Sequence, residues 1–304
     1  MKQSQILIRY GEIGLKAENT RRRFSNQLKK NIKQAFSQER MPVKIVIKRG
    51  RLFLHTNQIA KASKVLQKIF GIVSFSPVWE SSANLSILTR DVIQIMGTRL
   101  TSETSFALRV RRSGTHEYTS QDVAVLVGQV LCDRFSSPVD LEDPAVELFI
   151  EIRDHQAFLF IEKIKGVGGM PYATQGTVCS IIEKPIDLLA SWFLMKRGCK
   201  IHMIMTTDSL SSYTKEFLNT WYVQDTSKIL FKKNASFQQK LNQEINIFNC
   251  NAVCTGVTCF KNEKMCLKTI KKIKKSCSLP VLTPLISMNE KDLEKRAKQV
   301  GIKQ

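Results

Sequence analysis

Apolar positions along the first eighty residues follow two alternating periods. Residues 4–10 hold the Ile6-Leu7-Ile8 run of a strand. Phe24, Leu28, Ile32 and Phe36 then recur at helical spacing behind Asn19-Thr20, which predicts an amphipathic helix over 20–37. Its other face carries Arg21, Arg22, Arg23, Lys29, Lys30 and Lys33. Strands over 44–48 and 51–56 meet at Arg49-Gly50, a helix over 59–69 places Ala62, Val65, Leu66 and Ile69 on one side, and Val73–Trp79 reads as a strand.

That βαββαβ order predicts a ferredoxin-like layer. A helix over 87–98 leads into a strand bearing Arg109 and Arg111, which share a face because strand side chains alternate. Thr119 or Ser120 caps the next helix. Asp143-Pro144 marks a turn before the strand Glu147–Arg153, and a glycine-rich exit ends at Gly176. Beyond it strand and helix alternate: strands over 177–182, 200–207, 251–256 and 281–286, and helices over 186–197, 211–219, 234–246, 262–274 and 290–299. This predicts a short α/β layer with a parallel sheet.

Charge adds a partner class. The 304 residues carry a formal net charge of +21. Residues 1–80 hold 17 Lys and Arg against 4 Asp and Glu, residues 81–175 hold 9 against 12, and residues 176–304 hold 21 against 10. Two basic ends suit a polyanion, because each neutralised phosphate releases counterions. No apolar run approaches the ~20 residues that span a bilayer, and no short apolar core follows Lys2, so neither membrane nor secretion is expected and a cytoplasmic location is. Without secretory context the eight cysteines do not read as a disulfide framework. The spacings among Cys250, Cys254, Cys259, Cys266 and Cys277 lack the two-residue separation of a zinc knuckle, so no metal is assigned. They read either as buried small hydrophobes or as a persulfide or metal site.

Phe106–Ser120, with Arg109, Arg111, Arg112, His116 and the cap Thr119, resembles a THUMP domain, the RNA-binding module of several tRNA-modifying enzymes. Gly168-Gly169-Met170-Pro171, Thr174-Gln175-Gly176 and Arg9-Tyr10-Gly11-Glu12-Ile13-Gly14-Leu15-Lys16 narrow the resemblance to the tRNA 4-thiouridine synthetase family. It implies an α/β and α+β chain: a ferredoxin-like domain over 1–80, a THUMP domain over 81–175, and a shortened Rossmann-like PP-loop α/β domain over 176–304. It further implies tRNA as partner, gripped through phosphate contacts from Lys16, Arg109, Arg111, Arg112 and Lys165, with His116 as an RNA contact or a turn residue. Family members work as dimers, so a homodimer or a heterodimer with an active paralogue is implied.

The resemblance fails at the chemistry. Where the family reads Ser-Gly-Gly-x-Asp-Ser, this chain has Glu183-Lys184-Pro185-Ile186-Asp187-Leu188. Both glycines that let backbone approach phosphate are gone. Pro185 removes an N–H donor, and Glu183 would repel the anion. Archaeal members often carry a Cys-x-x-Cys-Lys-Arg segment. Its match, Lys228–Lys233, keeps the basic pair without thiols, and only Thr255-Gly256 survives of Thr-Gly-Glu-Ser-Leu-Gly-Gln. A tRNA-binding protein that no longer adenylates uridine is the first reading, with no assured catalytic residue or cofactor. An active sulfurtransferase is the second. It would use ATP and Mg through Lys184 and Asp187, with Cys259 as sulfur carrier. A non-enzymatic RNA chaperone or assembly factor is the third.

Overall fold

The computed structural model describes residues 3–48, 50–205, 207–223, 228–230 (backbone only), 237–260 and 262–302. In chain order its elements begin β1 (Gln5–Arg9), α1 (Glu18–Gln38), β2 (Lys44–Lys48), β3 (Arg51–His55), α2 (Ile59–Leu66) and β4 (Ser74–Ser82). Then come α3 (Leu85–Met96), β5 (Phe106–Ser113), α4 (Ser120–Phe135), β6 (Val146–Arg153), β7 (Gln156–Phe160) and β8 (Ile164–Lys165). The last part comprises β9 (Thr177–Ile182), α5 (Asp187–Lys196), β10 (Lys200–Met205), α6 (Leu210–Thr220), β11 (Lys228–Leu230), α7 (Phe237–Ile247), β12 (Ala252–Cys254), α8 (Glu263–Ser276), β13 (Val281–Leu282) and α9 (Glu290–Val300). They gather into two compact units. One holds the residues up to Arg9, Pro42–Lys64 and Ser74–Lys165; the other holds Tyr10–Met41, Val65–Val73 and the residues from Gly166 onward.

The first unit is built on one eight-stranded sheet, ordered β2-β3-β1-β4-β7-β6-β5, with β8 beside β4. β4 continues to Ser82, three residues past the expected end, because its two halves have different work. Ser74–Val78 pair with β1, and Trp79–Ser82 pair with β7. The N-terminal strands and the THUMP-like strands therefore form a single sheet. On one face α3 and α4 bury Leu88, Val92, Val123, Val127 and Leu131 against Trp79, Leu148, Ile150, Ile152 and Leu159. Asn84 caps α3 by accepting the amides of Ser86 and Ile87. Thr119 and Asp122 form a reciprocal capping box at the start of α4.

The second unit carries a wholly parallel sheet, ordered β11-β10-β9-β12-β13. Strand alternation sends Val178, Ile182, Ile201 and Met203 to a core with α5, α6 and α9, and Cys179, Ile181 and Ile204 to a core with α7 and α8. Helices on both faces make it doubly wound. Stacked Phe70 and Trp221 (centroids 5.5 Å apart), edge-on to Trp192, centre the first core. α1 belongs to this unit: Asn31 donates to the Tyr172 carbonyl (3.1 Å), and the Tyr222 hydroxyl donates to Glu39 (2.9 Å). In the glycine-rich exit, Gly169 has φ +77°, and a Cβ there would lie 2.1 Å from the Lys196 carbonyl oxygen. Only glycine satisfies both constraints.

Two expected strands shrink. The one over 281–286 ends at Leu282, because Pro284 has no N–H to pair and the Ile286 amide turns back to the Thr283 carbonyl. The one over 251–256 keeps only Ala252–Cys254. The basic helix runs on from 274 to Ser276. Lys232, Lys233 and the first residues of the helix expected over 234–246 lie outside the described residues. Among the described residues no helix is long and apolar enough to cross a membrane.

Candidate RNA-binding face and altered phosphate loop

Pairing of β5 with β6 sets Arg109 opposite Phe149 and Arg111 opposite Glu151. Pairing of β6 with β7 adds Phe160 and Phe158 to the same face, turned away from α3 and α4. This face is cationic and aromatic. Phe149 and Phe160 stack with centroids 5.0 Å apart. Lys163 lies 4.7 Å over Phe149, and Arg9 lies 4.5 Å over Phe160. Glu151 gathers three guanidinium groups: Arg153 (2.9 Å), Arg9 (3.5 Å) and Arg51 (3.7 Å). Burial pushes the Glu151 carboxyl up, but the Arg153 hydrogen bond and the three cations outweigh it and hold the group below its ordinary value. One carboxylate against three cations leaves the cluster net positive.

The predicted RNA contacts divide. Arg111 is exposed on this face, on edge strand β5. Arg109 is half-buried and anchored, bonded to Glu147 and donating to the Leu141 carbonyl (2.8 Å). Both border an open groove of 430 Å³ with Glu147, Phe149, Ser120 and Gln121. Arg112 points to the other side of the strand, and its Nη1 donates to the Gly114 carbonyl (3.0 Å) and to His116 Nδ1 (3.2 Å). His116 Nε2 in turn donates to the Asp154 carbonyl (2.6 Å). Both ring nitrogens are thus engaged within the protein, with Arg112 as one partner. Lys165 is exposed on β8. Lys16 is exposed in the other unit, just after the short 3₁₀ turn Glu12–Leu15. Sequence reading missed Phe149, Phe160, Arg9, Arg153 and Lys163. The period-2 alternation of 146–153 carries a signal for Phe149 and Arg153, once β6 is paired with β5.

The second unit's topological switch lies between β9 and β12, where the strand order reverses and doubly wound sheets bind ligands. The loop after β9 is Glu183–Ile186. Two of its backbone amides are taken by the chain itself: Asp187 Oδ2 accepts those of Glu183 (2.8 Å) and Lys184 (3.0 Å). The loop is wrapped around the chain's own carboxylate. Asp187 is 4% exposed. Burial pushes its carboxyl up to about 6, against the two amide bonds and Lys184, which pull it down. A Cβ on Gly256 would lie 2.2 Å from Asp187 Oδ1, so the surviving family glycine makes room for this carboxylate.

Beside the loop is a cavity of 260 Å³ bordered by Lys184, Ile186, Phe260, Leu293, Glu290 and Glu294. That is below the ~300–1,000 Å³ of usual ligand pockets, and its two carboxylates outnumber its one lysine. Neither size nor charge fits a nucleoside triphosphate, so no step through ATP is assigned to these residues. Asp187, a catalytic candidate from sequence, is buried and accepts the two loop amides. Lys184 is exposed.

Cys259 is half-buried, with its Sγ 2.8 Å from that of Cys266. Burial and the neighbouring Cys259 push the Cys266 thiol up to about 11, and burial pushes Cys254 up to about 12. Cys179, Cys250 and Cys277 lie in the core under α7 and α8. Among the described residues no group of three or more His, Cys, Asp or Glu side chains is arranged to hold a metal ion.

Residues 5–76 match the ThiI ferredoxin-like domain family, and residues 82–162 match the THUMP domain family. A "Probable tRNA sulfurtransferase" of Methanobrevibacter smithii is 28% identical over 99% of this chain and 87% of its own length. A protein of the same name from Methanothermobacter thermautotrophicus is 30% identical over 97% of this chain and 84% of its own. A crystal structure from Pyrococcus horikoshii Ot3 superposes with a TM-score of 0.83 at 27% identity, covering 98% of this chain and 99% of the other. A 4-thiouridine synthetase–RNA complex with bound ATP shares the fold, with a TM-score of 0.80 at 18% identity over 99% of this chain and 86% of the other. On full-length identity and shared architecture, this chain belongs to the tRNA sulfurtransferase family.

Proposed function

We propose that this protein binds tRNA as part of tRNA modification without itself activating uridine with ATP. The observation that carries the reading is the loop at 183–187, where the Glu183 and Lys184 amides are bonded to Asp187. A phosphate cradle needs those donors free and pointing at the anion. The small, carboxylate-lined cavity beside the loop supports the same reading. The exposed cations Arg111, Lys163 and Lys165 on and beside β5–β8 suit RNA phosphates. The protein then presents tRNA either as a homodimer or in a heterodimer with an active paralogue, which light scattering with and without that paralogue would distinguish.

The test is pyrophosphate release from MgATP, with and without a saturating tRNA transcript. The expected result is tRNA binding without release. RNA-dependent release would overturn the proposal and favour an active sulfurtransferase. That alternative has one observation of its own, the thiol pair Cys259 and Cys266 beside the loop that follows β12.

A further inference from the structure

Helix α8 reads Glu263-Lys-Met-Cys-Leu-Lys-Thr-Ile-Lys-Lys-Ile-Lys-Lys-Ser276. Cys266 and Ile273 are buried in the domain, and Ile270 beside them is half-buried. Lys264, Lys268, Lys271 and Lys275 recur at i, i+4, i+7 and i+11, which puts them in one stripe on the opposite side of the helix. Lys272 and Lys274 flank the stripe, and all six are exposed. Among the described residues none of the six enters an ion pair.

The stripe works against the helix that carries it. Like charges three and four residues apart repel, and a cation at Lys264 faces the positive end of the helix dipole. Lys274 and Lys275 suit the C-terminal end; the rest have no such account. Helix α9, equally exposed, handles charge differently: Asp292 and Arg296, and Glu294 and Lys298, are opposite signs at i, i+4. A repelling stripe is relieved when a polyanion lies along it. From Lys264 to Lys275 it runs about 16 Å, enough to follow several phosphates of one strand.

We infer that α8 is a second RNA-contacting surface, separate from the β5–β7 face, whose lysine stripe tracks the phosphate backbone of bound RNA. The inference rests on the proposed function for RNA as the polyanion. An anionic membrane fits less well. A surface-lying helix needs a free apolar face, and here that face is turned into the core. The exposed Met265 and Leu267 stand on opposite sides of the stripe.

The experiment compares the full chain with the variant Lys264→Gln/Lys268→Gln/Lys271→Gln/Lys275→Gln. Each is titrated with a tRNA transcript, with an unrelated duplex RNA and with phosphatidylserine vesicles, over a series of salt concentrations. Glutamine is a good helix former, and circular dichroism and the unfolding midpoint verify the fold. The expected result is a weaker RNA affinity and a flatter dependence of log K on log salt, by about 0.7–0.9 for each phosphate no longer neutralised and up to about 3.6 for four. An unchanged slope and affinity in the variant would overturn the inference and leave the proposed function standing. So would a loss confined to vesicle binding. Lysine-dependent binding of duplex RNA without tRNA binding would do the reverse, sinking the tRNA reading and keeping the surface.

Discussion

Replacing Asp187 by Asn separates the carboxylate's charge from its shape. Asparagine keeps an oxygen able to accept the Glu183 and Lys184 amides, which lie at 2.8 and 3.0 Å in the native loop. Folding raises this carboxyl from 3.8 to about 6, chiefly through burial. A carboxyl raised on folding stabilises the protein while protonated. Its contribution is therefore fully present below about pH 3.8 and is lost as the pH climbs through about 6. That shift corresponds to roughly 3 kcal/mol, most of it lost between pH 4 and 7. Urea denaturation of both proteins at the two pH values isolates the effect, because every other titrating group is common to both. Relative to wild type, Asp187→Asn should gain about 2–3 kcal/mol on going from pH 4 to pH 7. A stability difference identical at both pH values would refute the buried charge, and with it the claim that the loop is filled from within. Asp187→Ala also lacks the titrating carboxyl and should share that pH trend, but it leaves the Glu183 and Lys184 amides without their acceptor and should be less stable than Asp187→Asn at both pH values, by about 0.5–1.5 kcal/mol for each lost bond.

Other consequences can be checked in the same protein. Gly256→Ala should cost about 1–3 kcal/mol, as overpacking does, because the new methyl meets Asp187 Cα at 2.8 Å as well as its carboxylate; the urea midpoint reads it. Thr119→Ala removes the capping box of α4 and should lower stability by about 0.5–2 kcal/mol, seen as an earlier thermal transition. Arg109→Ala/Arg111→Ala should weaken tRNA binding and flatten its salt dependence, since Arg111 is lost from the face and Glu147 is left without its arginine; an unchanged slope excludes this face. A low-molecular-weight disulfide should oxidise Cys259 and Cys266 to a bridge, detected as a cross-linked peptide lighter by two hydrogens and absent from Cys259→Ser.

Much of this fold was legible locally. Apolar spacing located α1 through Phe24, Leu28, Ile32 and Phe36, all buried, and Thr119 announced the start of α4. What local pattern could not contain was pairing at a distance. Nothing in residues 73–82 says that Trp79 will lie beside Leu159, so a single sheet looked like two. Arg109 read as a free cation because Glu147, its partner, is 38 residues away. The residues at 183–188 did not say where the Asp187 carboxylate would turn, because Asp187 reads the same whether it faces solvent or turns back on the amides before it.

β4 has an implication for how this chain can be divided. The THUMP match begins at residue 82, where β4 ends, yet β7 depends on Trp79–Ser82 for its neighbour. A fragment cut there would leave the edge of β7 bare, and a bare strand edge is a template for aggregation. A graft of this module onto another protein must therefore borrow β4. Because β4 is also the partner of β1, the borrowed piece extends to the first strands as well. Strands from either half should share one rate of amide hydrogen exchange at their most protected positions, and a protease should find no durable stopping point near residue 80.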